Sequence, residues 1–146
     1  EREYLNGLSE QIKKIFEGAA LCTGTTVAVE FYGNPYDDMN QNNRGTALIE
    51  EVMADMDLDF EPGPAALGGS SDIGNVSYQC AAFHPKLRLA GEPKVCHSKE
   101  FAAAMLEPTI EQTIIDGANI IGGTVLRLVE NPEILEEIVA ELNSTK

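Results

Sequence analysis

The residues best suited to chemistry fall in one stretch, Leu67 to Phe101: LGGSSDIGNVSYQCAAFHPKLRLAGEPKVCHSKEF. Gly68 and Gly69 give the backbone freedom to bring N–H groups close to a ligand. Ser70, Ser71 and Asp72 are residue types that open a helical turn and cap it with side-chain oxygens. N–H groups at such a start favour a carboxylate or an oxyanion. Further on, His97 stands between a strand-like segment and Ser98, which can cap a helix beginning at Lys99. A histidine at that junction can reach a cleft at a sheet edge. Plainer readings exist for the same residues. Gly-Gly-Ser-Ser also suits a flexible loop, and a lone histidine also suits a hydrogen-bonded structural role. One histidine does not define a zinc site, which needs three or four ligands. A Cys96–His97 metal pair is disfavoured, because adjacent residues of a strand point to opposite faces.

The elements that would position these residues come from a chain of ordinary composition. Its 146 residues suffice for one domain with a sizeable core, and 43% hydrophobic with 23% charged content is globular. A net charge of −14 argues against nucleic acid and anionic membrane as partners. No apolar run approaches a bilayer span, and the opening Glu-Arg-Glu is not signal-like. That opening also lacks an initiator Met, so the chain reads as a piece of something longer. Cys22, Cys80 and Cys96 are odd in number and irregular in spacing. They form no disulfide framework and fit a reducing cytoplasm.

In chain order, Leu5, Leu8, Ile12, Ile15, Phe16 and Ala19 share one face of a helix predicted over 4–22. Val27, Val29 and Phe31 alternate as a strand over 25–32. Residues 33–45 are polar and turn-rich and read as a connection between domains. Leu48, Ile49, Val52, Met53 and Met56 mark a second helix; the acids after it, Asp55, Asp57, Asp59 and Glu61, read as a solvated face. Strand character returns over Cys80–Leu89. Beyond Ser98 the pattern is helical, with a Thr109–Gln112 capping box and a stripe of Ile110, Ile114, Ala118, Ile121, Val125 and Leu128 expected to be buried. Gly122 and Gly123 inside that helix imply close packing. Asn131-Pro132 opens a last helix burying Ile134, Leu135, Ile138, Val139 and Leu142.

GSSDIGNVS, then FHP, a strand, and CHSKEF before long helices resembles the C-terminal region of the dinuclear zinc peptidases and amidohydrolases. That family contains aminoacylase, carboxypeptidase G and aminobenzoyl-glutamate hydrolase. The nearest branch looks like the aminobenzoyl-glutamate hydrolase and β-alanyl-lysine dipeptidase group. Residues 17–33, EGAALCTGTTVAVEFYG, are similar to the end of the family's inserted lid and dimerisation domain. The resemblance implies an α/β fold: residues 1–33 end the lid, and 34–146 form the C-terminal part of a sheet-and-helix catalytic domain. It implies His97 as a zinc ligand and Gly68, Gly69, Ser70, Ser71, Asp72 and Asn75 as the loop holding the substrate's carboxylate or scissile carbonyl. His84 matches the family's His-Pro position and receives no role. Ser98 stands where threonine is usual, and Ala81-Ala82 where proline-serine is common.

The resemblance also implies what lies elsewhere. The family's remaining ligands and its acid/base glutamate precede the lid, and His84 and His97 are this chain's two histidines. In an intact enzyme with two zinc ions per site, a metal-activated water would attack an amide carbonyl while that glutamate moves protons. The expectation is a cytoplasmic, homo-oligomeric hydrolase of a small amide or dipeptide, inactive in this portion alone. The rival expectation, from another class, is a standalone acidic binding or assembly module that keeps the fold without the chemistry.

Overall fold

Apolar residues three and four apart dictate the long elements, and the structure, a computed structural model, builds them. It describes residues 2–63, 69–89, 91 and 93–145. Among these lie helices α1 (Arg2–Thr23), α2 (Asn43–Asp55), α3 (Ile73–Ser77), α4 (Lys99–Ala104), α5 (Ile110–Glu130) and α6 (Pro132–Ser144).

The body is the mutual packing of α2, α5 and α6. The α2 stripe read from sequence is its centre: Leu48, Ile49, Val52 and Met53 are buried, against Ile120 of α5 and Ile138 and Leu142 of α6. Met56, Leu58, Phe60, Phe83 and Leu87 pack around the Ile49–Met53–Ile120 cluster. Each such aliphatic side chain contributes about 1.5–3 kcal/mol on burial. Gly123 lets α5 approach: a Cβ there would sit 2.9 Å from Val52 Cγ1. Gly122 meets nothing within 4 Å, so close packing explains one glycine of the pair.

Buried Asn42 joins α2 to α6. Its Oδ1 accepts from Gly45 N at 2.9 Å as the cap of α2, and its Nδ2 donates to Ile138 O at 2.8 Å. Glu141 of α6 adds two more bonds across this joint, accepting from Asn43 N and Arg44 N, each at 2.8 Å. These N–H groups have no partner inside α2, so a carboxylate is favoured there.

The expected α/β architecture is overturned. Among the described residues there is no strand, and the described fold is helical. Residues 25–32 and 80–89 alternate in sequence yet make no ladder. Alternation assigns side chains to two faces, but a strand exists only when its N–H and C=O groups meet a neighbouring strand. No described backbone-to-backbone bond supplies that neighbour.

The burial stripes shift as well. α1 forms but buries none of its residues, and Leu5, Ile12, Ile15 and Phe16 are exposed. α5 turns Ile120, not Ile114, Ile121 or Val125, into the body. In α6, Ile138 and Leu142 are buried while Leu135 and Val139 face outward. Asp55, Asp57, Asp59 and Glu61 are exposed, as a solvated acidic face requires.

Candidate functional site

The 69–75 turn enters the short helix α3 and is held by its far end. Gly74 packs so tightly that a Cβ would strike the Asp37 carbonyl oxygen. Buried Ser77 donates to Gly74 O at 2.6 Å and accepts from Asn40 N at 2.8 Å. Asn75 clasps the incoming chain: its Nδ2 donates to Pro35 O at 3.1 Å and Asp37 Oδ2 at 3.2 Å, and its Oδ1 accepts from Asp37 N at 3.4 Å. Of the three capping types read from sequence, Ser71 is the one that bonds the α3 start. Asp72 makes no side-chain cap, while Ser71 Oγ accepts from Ile73 N at 3.4 Å.

The near end of the turn opens onto a broad cleft of about 1300 Å³. Gly69, Ser70 and Ser71 line it, together with His84, Lys86 and Arg88 of the 80–89 segment. That segment is anchored by Phe83 and Leu87 on the core cluster, leaving His84, Lys86 and Arg88 exposed. Asp37, Asp38, Glu50, Asp59, Glu61 and Asp116 supply carboxylates around the same cleft. Cleft and turn therefore meet at three of the expected residues. Asp72 and Asn75 are not among the cleft's lining, Asn75 being engaged with residues 35–37. Gly68 lies outside the described residues.

His97 occupies a turn just before α4, exposed, with φ of 63°. This left-handed conformation is uncommon outside glycine, asparagine, aspartate and histidine. Ser98 then starts α4 as read, its Oγ accepting from Phe101 N at 3.0 Å. His97 is not part of the cleft that Gly69, Ser70 and Ser71 line. Among the described residues no three or more His, Cys, Asp or Glu side chains converge in a way that could hold a metal ion. The residues present do not fit a metal centre on their own. Cys22, Cys80 and Cys96 are all exposed thiols.

Two residues near the site escaped the sequence reading. Asp37 holds Asn75, and Tyr78 donates its hydroxyl to Asp38 Oδ1 at 2.9 Å. Burial, then this bond to a carboxylate, holds the Tyr78 phenol above its ordinary value. Asp37-Asp38 sits in a polar linker where nothing local distinguishes it from solvated acid; its partners are 38 to 40 residues away. Among the described residues no helix is long and apolar enough to cross a membrane.

The chain is 26% identical over 140 residues to the Xaa-Arg dipeptidase of Mus musculus, covering 94% of this chain and 32% of that protein. It is 25% identical over 137 residues to the Xaa-Arg dipeptidase of Homo sapiens, covering 92% and 31%. The chain thus spans about a third of the length of the curated relatives it matches. No protein-family model matches it, and no solved structure matches it. The similarity supports a peptidase-type hydrolase.

Proposed function

We propose that this chain is the C-terminal part of a metal-dependent dipeptidase or amidohydrolase that cleaves an amide bond in a small N-acyl amino acid or dipeptide. The observation that carries the reading is similarity to a dipeptidase over 140 residues of this chain. The order GSSDIGNVS, FHP, CHSKEF adds weight to it. In this reading residues 1–33 end a lid domain and 34–146 belong to the catalytic domain. The Gly68–Asn75 turn borders the substrate pocket, with Gly69, Ser70 and Ser71 nearest the ligand. His97 gives one ligand to a zinc centre completed by residues outside these 146, which also supply the acid/base group. The enzyme is homo-oligomeric and cytoplasmic. The carboxylates around the cleft outnumber Lys86 and Arg88, which suits a cationic substrate end such as the arginine in the relatives' names.

The test is metal analysis and hydrolysis of Xaa-Arg dipeptides by the longer protein that contains this chain. His97→Ala there should lower zinc content and turnover together. Unchanged zinc stoichiometry and unchanged turnover in that variant would sink the reading.

A further inference from the structure

α1 buries none of its residues, and its first turn reaches the body through Arg2. Arg2 Nη1 lies 3.4 Å from Asp37 Oδ2. The Arg2 guanidinium carbon is 5.1 Å from the centre of the Tyr78 ring, a cation–π distance. Asp37 Oδ2 is also the acceptor of Asn75 Nδ2 at 3.2 Å. One carboxylate oxygen thus holds both the start of α1 and the far end of the 69–75 turn. The two sides of the ion pair differ in exposure: the Arg2 side chain is 50% exposed and that of Asp37 is 14%.

We propose that Arg2, Asp37 and Asn75 form a latch coupling the orientation of α1 to the seating of the 69–75 turn. Arg2 can leave for water at little cost, as exposed ion pairs do. Asp37 cannot follow, because its backbone is pinned by Asn75 and packed against Gly74. Once Arg2 departs, Asp37 Oδ2 loses its cation and keeps Asn75 Nδ2 as its partner, so the acceptor geometry at Asn75 changes. Release of α1 is then felt at Gly74 and Asn75, and through them at Ser70 and Ser71 on the cleft. That this movement bears on substrate rests on the function proposed above; the coupling itself does not.

The 146-residue chain with Cys80→Ser carries two native label sites, exposed Cys22 at the far end of α1 and exposed Cys96. Spin-label distance distributions between them report α1, and 15N resonances of Gly74 and the Asn75 side-chain amide report the turn. Arg2→Gln should broaden the distribution and shift those resonances together. Raised salt should do the same to the chain with Arg2 intact and little to the Arg2→Gln variant, because it screens a half-exposed pair. Broadening with unmoved turn resonances, or moved resonances without broadening, would refute the coupling. No response to either perturbation would refute the latch. Salt needs no substitution at the latch, so the test does not depend on how Arg2→Gln folds. Neither readout uses turnover, so a failed activity assay bears on the proposed function alone.

Discussion

At the scale of single residues, hydrogen bonds made by a few polar side chains decide how the body and the turn are held. Glu141 is the clearest titratable case. Backbone N–H bonds from Arg44 and Asn43 hold its carboxyl below the ordinary value of 4.5. A carboxyl lowered in the folded state adds stability that is complete above its unfolded value and is lost as pH falls through the lowered one. Thermal melts of Glu141→Gln should therefore lie about 2–4 °C below the parent at neutral pH. The gap should close as pH drops below about 4.5; a gap constant from pH 7 to pH 3 would show that the carboxylate charge is not the cause. Gly74 is a steric case. With the Asp37 carbonyl where its Cβ would go, Gly74→Ala should cost about 1–3 kcal/mol in denaturant unfolding, and a neutral result would mean the turn is not pinned there. The candidate residues were partly legible, since Gly69, Ser70 and Ser71 do border a cleft. Asn75 is implicated only by the family resemblance, and its amide bonds Pro35 and Asp37, partners 38 or 40 residues away that leave no local trace.

Among the elements, helices announce themselves by period and strands do not. The helix read over 4–22 is found at Arg2–Thr23, and the stripe from Leu48 to Met56 is α2 and its cap. Helical period is satisfied within one segment, whereas strands 25–32 and 80–89 depend on a partner that no local pattern guarantees. Caps divide in the same way. Ser98 caps α4, but Thr109 makes no side-chain cap and Gln112 donates to Asp116 at 2.8 Å instead. Asn131 closes α5 by donating to Arg127 O at 3.0 Å and makes no side-chain cap on α6. Asn42 is a cap and a crosslink at once. Asn42→Ala loses the Gly45 bond and leaves Ile138 O without its donor, so it should destabilise by about 2 kcal/mol. Asn42→Ser keeps a cap acceptor and loses the donor to α6, so its cost should fall between the parent and Asn42→Ala. If both variants cost the same, the α2–α6 bond carries the whole effect and the cap none.

For the whole molecule, the apolar stripe of α5 is real in sequence but faces outward in the structure. α2 packs on its small-residue side, at Gly123, where Val52 fits. That choice leaves Ile121 67%, Val125 55% and Val129 71% exposed, and α1 adds its own exposed Ile15 and Phe16. Apolar surface of this kind drives association, since each large aliphatic side chain gains about 1.5–3 kcal/mol when covered. Opposing it is a net charge of −14, identical on every copy. The balance gives a specific signature. The isolated 146-residue chain should self-associate with rising concentration, and more strongly as salt screens the repulsion. It should hydrolyse no dipeptide in added zinc, having a single histidine assigned as ligand. Val125→Glu places a charge on the outward face without touching the α2 contact. It should weaken association at least about tenfold, the equivalent of about 1.4 kcal/mol. Sedimentation over a range of concentration and salt measures both effects. A single monomeric species throughout would remove the homo-oligomer from the reading, and association that Val125→Glu leaves unchanged would move the contact off α5.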